Sequence, residues 1–350
     1  MPAFTYKCPA CGNALKFEPV SGKFACEFCG TTYGEAYLSK LDDKAYAKEK
    51  AEEHEKEQPG GKDQFLYSCP SCGAELVTGE TTAATMCYYC HNPVVIVGRL
   101  EEAFKPDALL PFKYDRPGAK DRFFQWIRKK KYVPPEFISE ESVQRLSGVY
   151  YPYWLADYEA SASFTGEGQI VTQTTTAKYH ITTTKYYSVS RDGDLTFRNI
   201  ERSALQKADR KLSDAVHPYQ MEDLIDFAPS YLSGFMAEKR DIAKDAIRGS
   251  VEAELQGYAQ PLLTSNTPYT SLVGSTTMKL KGNRYRYALL PAWVMTYRGE
   301  QGKMYYYAMN GQTGEVCGVL PVDKRKLLFH GGILAAIVCG LMLAVFYFFV

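Results

Sequence analysis

An α+β fold in which sheet outweighs helix, fronted by two small cysteine-built modules and closed by one apolar helix, is what this sequence predicts. Three observations carry that reading. Cysteine pairs recur at fixed intervals near the start, the middle is rich in aromatic and β-branched residues, and the final stretch from Leu327 to Val350 lacks any Asp, Glu, Lys or Arg.

The first element is the repeated motif. CPACG at residues 8–12 returns as CPSCG at 69–73, and each is answered by a second pair, CEFCG at 26–30 and CYYCH at 87–91. Cys8, Cys11, Cys26 and Cys29 thus repeat as Cys69, Cys72, Cys87 and Cys90 at a constant offset (69 − 8 = 61), which marks an internal duplication. Two cysteines three apart on a tight turn can aim both sulfurs at one ion, and four thiolates close a tetrahedral Zn²⁺ site. The interval between the knuckles falls just under the usual range for such sites. Glycine follows three of the four knuckles, at Gly12, Gly30 and Gly73, where a positive φ lets the turn close. Modules this small bury too little apolar surface to fold alone, so the metal is expected to supply much of their stability. The reading is two zinc ribbons, residues 1–38 and 64–99, each holding one structural Zn²⁺. A disulfide framework is disfavoured in a reducing cytosol, while spacing alone does not separate zinc from iron. His91 reads as a replacement for the knuckle glycine rather than as a ligand. A redox role for the C-x-x-C pairs would need a free thiol, and four around one ion leave none.

Residues 39–63 are rich in Lys, Glu and Ala. Ser39 with Asp42 can cap a helix that Pro59, Gly60 and Gly61 would stop, and with no heptad visible the segment reads as a charged, solvated spacer containing His54.

From residue 100 to 322 the chain reads as a β-rich α+β domain. Among its sources are 27 Tyr and 18 Phe in 350 residues, side chains that suit a half-buried pleated face. LLPFKYDRPGAKDRFFQWIRKKKYVPPEF predicts a strand, a turn at 116–118, then an amphipathic helix ending before Pro134, with Ala119, Phe123, Trp126, Ile127 and Lys130 on one side. Residues 113–131 hold eight Lys/Arg against two Asp. Three readings compete for them: an ordinary docked helix with a solvated basic face, which is preferred, a patch touching anionic lipid, and a nucleic-acid contact. Thr-rich alternation over 170–190 followed by RDGD predicts a hairpin with Asp192-Gly193 in its turn. A mainly helical stretch is expected over 200–256, and strands then resume through MKLKGNRYRYALLPAWVMTYR, KMYYYAMN and EVCGVL. The spacing Pro-x-Trp-x-x-x-Tyr occurs at Pro152, Trp154, Tyr158 and again at Pro291, Trp293, Tyr297. It fits either a second duplication or coincidence in an aromatic-rich chain. Asn310-Gly311 and Thr313-Gly314 read as turn chemistry, Cys317 as a buried, inert thiol, and His180 and His217 as ordinary sheet and loop residues.

The last segment, 323–350, reads as a membrane anchor. A helix from Leu327 to Val350 would be ~36 Å long, enough to cross ~30 Å of hydrocarbon. Lys324, Arg325 and Lys326 precede it and no charge follows, so the positive-inside bias keeps the bulk of the chain cytoplasmic. Its uniformity argues against a buried core helix. MPAFTYKCPACG shows neither a basic leader nor an apolar run, so no secretory signal is expected.

Composition narrows the function. Forty-one Lys+Arg against forty Asp+Glu give a net charge of +1, which supplies no global field for a polyanion. No G-x-S-x-G elbow, phosphate-cradling glycine loop or H-E-x-x-H is present, and no enzymatic activity is expected. The CPxCG knuckles, FFQWIRKKKYVPPEF, LSGVYYPYWLADYEA, YLSGFMAEK and VMTYRGEQGKMYYYAMNGQTGEVCGVLP together resemble the bacterial membrane proteins described as containing a transcription-factor-IIB-type (or primosomal-protein-like) zinc ribbon. That resemblance implies structural zinc on the eight cysteines. It also implies a recruiting role at the membrane beside phage-shock-protein-A-like or SPFH-domain proteins of envelope-stress systems. The preferred expectation is a non-enzymatic, membrane-tethered scaffold. The alternative is a nucleic-acid or transcription/replication-machinery binder using the ribbons. Residues 64–99, with one Arg and two Glu, make a poor phosphate surface, so nucleic acid is not the expected partner.

Overall fold

The protein is seen here as a computed structural model that describes residues 3–4, 6–38, 40, 64–69, 75–79, 81–87, 92–96, 104–139, 146–206, 216–298 and 304–349. The spacer, apart from Lys40, lies outside the described residues, as do Cys72, Cys90 and His91. The architecture is mixed α+β and rich in sheet.

Its frame is three long antiparallel strands. β10 (Ser147–Thr175) pairs along one edge with β11 (His180–Ser203) and along the other with β14 (Ser271–Arg298). Strands of 24 to 29 residues far exceed the usual five or six, and they hold because Thr, Val and Tyr recur along them. The Asp192-Gly193 hairpin turn expected from sequence is not formed. Asp192 and Gly193 sit mid-strand opposite Ser163 and Ala162, and the real turn lies at 176–179, where the Thr176 amide donates to the Tyr179 carbonyl at 2.8 Å. Cross-strand pairing overrides turn propensity here.

The shorter strands assemble around this frame into an 11-stranded sheet. β15 (Met304–Asn310) and β16 (Val316–Val319) extend it beyond β14 through the expected turn at Asn310–Gly314, with Gly314 at φ 76°. On the other side β13 (Met236–Glu238) runs parallel to β10 at Val149 and Tyr150. It carries β7 (Thr82–Met86), β8 (Pro93–Ile96) and β1 (Ala3–Phe4). Short β9 (Ala108–Leu109) and β12 (Ile225–Asp226) complete it. Sheet pairing therefore crosses residue 100, where the sequence suggested a change of module. Two small sheets stand apart: β2 (Leu15–Glu18), β3 (Lys23–Cys26) and β4 (Thr32–Tyr33), and the pair β5 (Gln64–Ser68) and β6 (Glu75–Gly79).

Three helices are longer than a few turns among the described residues. α1 (Arg116–Ile127) starts at the residues expected to form a turn: Asp115 caps it by accepting from the Gly118 amide at 2.8 Å, and Pro117 sits in its first turn. Ala119, Phe123 and Ile127 are its buried face, with the Phe123 and Trp126 rings 4.9 and 5.4 Å from Tyr307. Among the described residues, the helical stretch expected over 200–256 reduces to α2 (Lys244–Thr264). β11 runs on to Ser203, and residues 216–243 form turns, two short 3₁₀ segments and the strands β12 and β13. α2 lays Val251, Leu255, Ala259 and Leu263 against Ala156, Tyr158, Ala160, Ala162 and Phe164 of β10. Where Gly166 faces Gly274, an added Cβ would meet the Val273 carbonyl at 2.3 Å, so only glycine fits. α3 (Lys324–Phe349) leaves the sheet and projects from it.

Candidate metal centre

The first cysteine module builds its site from two copies of one turn. Between Cys8 and Cys11 the Cys8 amide donates to the Asn13 carbonyl at 2.6 Å, and the Gly12 amide to the Cys8 carbonyl at 2.8 Å. Between Cys26 and Cys29 the Cys26 amide donates to Thr31 at 3.0 Å and Gly30 to Cys26 at 2.9 Å. Gly12 and Gly30 adopt φ 77° and 72°, a region that side chains resist. Each turn thereby points two sulfurs into one space.

All four Sγ atoms of Cys8, Cys11, Cys26 and Cys29 lie within 4.8 Å of one another, with Cys8–Cys29 at 3.6 Å and Cys11–Cys26 at 3.5 Å. Zinc–thiolate bonds of ~2.3 Å in a tetrahedron place sulfurs about 3.8 Å apart, so the donor set fits a metal ion of that kind. A disulfide would need about 2.05 Å, and the four are free thiols. Cys8 and Cys26 are buried while Cys11 and Cys29 face solvent.

Neighbours that sequence reading missed surround the sulfurs. The Thr31 hydroxyl lies 3.2 Å from Cys29 Sγ, the Tyr33 hydroxyl 3.7 Å from Cys8 Sγ, and Asn13 Nδ2 3.6 Å from Cys11 Sγ. The Thr31 hydroxyl, then its backbone amide, favours the Cys29 thiolate and brings that thiol down to about 6. At Cys26 the Cys29 amide also favours the thiolate, but burial and the adjoining Cys11 and Cys29 thiols outweigh it and push the group up to about 11. Four thiols sharing one space cannot all ionise without a cation between them. The sequence signal for two of these neighbours was the hydroxyl run directly after the second knuckle, CGTTY.

The site is fastened to the large sheet. Phe17 and Phe24 pack on Tyr231 at 4.9 and 5.6 Å between ring centroids. The Phe17 amide donates to the Ser233 carbonyl at 2.9 Å, and the Ser233 hydroxyl donates to Leu15. Cys8, Leu15, Phe17, Phe24 and Cys26 thus share one core with Tyr150, Trp154 and Phe235. Alternation in LKFE and KFAC was the legible hint.

The second module repeats the backbone plan. Lys7 bridges Ala14, and 61 residues on Ser68 pairs with Glu75. Phe24 and Ala25 pair with Tyr33 and Thr32, and Thr85 and Met86 pair with Val94 and Pro93 at the same offset. The Cys87 amide donates to Asn92 at 2.9 Å, as Cys26 does to Thr31. Cys69 and Cys87 are buried like their counterparts, whereas the positions of Cys72 and Cys90 are outside the described residues.

Elsewhere the expected residues fall in ordinary places. His180 is exposed near the strand turn, His217 pairs with Glu201 between the rings of Tyr153 and Tyr219, and Cys317 on β16 is half-buried, its thiol pushed up to about 11 by burial. Trp154 and Trp293 of the repeated Pro-x-Trp spacing each donate to a carbonyl outside the long strands, Ile242 and Tyr114, at 2.9 and 3.0 Å. A shallow open depression of about 500 Å³ on the long strands is lined by Ser161, Ser163, Asp192, Asp194, Thr277 and Lys279.

α3 is the other candidate element. Its stretch Lys324–Leu343 is long and apolar enough to cross a membrane, and none of it is buried against the rest of the chain.

The chain is 29% identical over 325 residues to the uncharacterized protein YdjG of Bacillus subtilis (strain 168), covering 92% of each. No family profile matches it. No solved structure matches it either.

Proposed function

We propose that the chain is a non-enzymatic scaffold, tethered to the membrane by α3, that recruits or senses protein partners at the cytoplasmic face, in envelope stress. In this reading both cysteine modules are zinc ribbons with one structural ion each, on Cys8, Cys11, Cys26, Cys29 and on Cys69, Cys72, Cys87, Cys90. The ions would shape the surface rather than react, because four thiolates close the coordination sphere. Phage-shock-protein-A-like and SPFH-domain proteins are the proposed partners, on the strength of the sequence resemblance alone.

The observation that carries the reading is the exposed apolar surface of α3, with Leu328, Leu334, Leu341, Met342 and Leu343 all more than 60% accessible. A water-soluble protein of this size does not leave such a surface uncovered. A helix of that composition gains by entering hydrocarbon, and Lys324–Lys326 at its start favour retention of that end in the cytosol. Deleting residues 327–350 should move the protein from the membrane pellet to the soluble fraction. Continued sedimentation with membranes after alkaline washing would reject the tether.

A further inference from the structure

Four cations, Arg128 to Lys131, follow α1 directly, and three, Lys324 to Lys326, open α3; all seven are exposed. The fold joins these distant runs. The Asp323 amide donates to the Tyr132 carbonyl at 2.8 Å, and Lys326 Nζ reaches the Val133 carbonyl at 3.5 Å. The His330 ring meets Tyr132 edge-on, with centroids 5.7 Å apart. Lys131 and Lys324 therefore flank one backbone hydrogen bond.

Asp323 is tied to the run that opens α3. Asp323 accepts from the amides of Arg325 and Lys326 at 3.0 and 3.1 Å and lies 3.6 Å from the Lys326 ammonium. Clustered like charges repel unless an outside anion lies among them. Lys130 lies over the half-buried Trp126 ring, 5.4 Å from its centroid, an amphipathic pairing suited to a membrane–water boundary.

We propose that these seven cations form one platform that binds the phosphate groups of anionic lipids. The proposal rests on the reading that α3 spans a membrane. Lys324–Lys326 occupy the first turn of that helix, so the hydrogen bonds to Tyr132 and Val133 hold the α1 run at the same depth. Basic residues at that depth are attracted to an anionic leaflet. An exposed, spread array suits a lipid surface better than a single free phosphate, which would favour a closed pocket.

The test uses the full chain in nanodiscs of phosphatidylcholine alone, or of phosphatidylcholine mixed with phosphatidylglycerol. Amide hydrogen exchange is read over residues 128–133. Anionic discs should slow exchange there by roughly tenfold, an effect that fades at high salt. The triple variant R128Q/K129Q/K131Q, which leaves Lys130 on Trp126, should lose most of that protection while exchange in the long strands stays unchanged. Equal exchange in both lipids, or a triple variant that behaves like the parent, overturns the platform. So does equal protection by inorganic phosphate, or by a DNA duplex, added to neutral discs. A chain that enters neither kind of disc sinks the tether and the platform together; entry with lipid-independent exchange sinks the platform alone.

Discussion

The two cysteine modules share a spacing, a knuckle hydrogen bond and a strand register, yet their strands end up in different company. In the first, β2, β3 and β4 close on themselves as a three-stranded sheet, fastened to the body by side-chain packing and the Phe17 amide on Ser233, and only the two-residue β1 pairs within the large sheet. In the second, β7 and β8 are part of the large sheet: β7 pairs with β13 at Ala84–Ala237, and Lys239 donates to the Thr81 carbonyl at 2.7 Å. The burial patterns explain the difference. β2 reads buried, half-buried, buried, exposed, the mark of a strand with one wet face. β8, PVVI, is buried at every position, which only the interior of a larger sheet satisfies. Equal cysteine spacing thus goes with an equal strand register beside Cys8, Cys26, Cys69 and Cys87, while the residues between the cysteines decide what each module joins.

The strongest way to break this comparison is to remove the ligands one module at a time. Cys11→Ser with Cys29→Ser should remove one zinc per chain and unfold β2–β4, since a structural site of this kind is worth on the order of 10 kcal/mol. Cys72→Ser with Cys90→Ser should remove the other ion but leave β7 and β8 protected, because β13 holds them. Zinc content by elemental analysis and hydrogen exchange by mass spectrometry check both outcomes. Equal exposure of the two modules would erase the distinction.

Phe17→Ala probes the side-chain attachment of the first module. It removes the ring packed on Tyr231, Phe24 and Phe235 and should cost about 3–5 kcal/mol in denaturant unfolding of the purified chain. Bound zinc should remain, because the knuckles close without that ring.

Acid should release the first module's ion. A thiol held down to about 6 contributes thiolate at neutral pH, and that contribution is lost as pH falls through the value. Affinity should fall continuously as pH drops, because the Cys26 thiol already competes with the metal for its proton at neutral pH, and should steepen by a further factor of ~10 per pH unit below about 6, where Cys29 also protonates, as read by a colorimetric chelator.

Tyr33→Phe is the mildest test. It deletes the hydroxyl beside Cys8 Sγ while keeping the ring stacked on Tyr37. Zinc affinity should fall by less than about tenfold, with no change in the second module.

Much of the candidate site was legible because metal geometry is local. Cys8, Cys11, Gly12, Cys26, Cys29 and Gly30 sit within two short turns whose conformation depends on their own residues. The strands of the aromatic middle were legible for a similar reason, since composition marks a pleated surface. The reading failed where a local signal competed with long-range pairing. Asp192-Gly193 spells a turn, yet it lies mid-strand because Ser163 and Ala162 on β10 take up its backbone. The stretch after Ser203 was read as helical, but only Lys244–Thr264 has the apolar spacing that α2 uses to cover β10.

The sequence by itself determined the two cysteine turns of the first module, the sheet-rich middle and the apolar final helix, because each follows from residues close together in the chain. Only the tertiary structure decided that the first module shares a core with Tyr231 and Phe235, that the second gives two strands to the large sheet, and that Asp323 hydrogen-bonds Tyr132. Those outcomes depend on which surfaces meet after the chain returns from far away. Hydrophobic burial and backbone pairing choose among such partners by total fit, which no short window of sequence encodes.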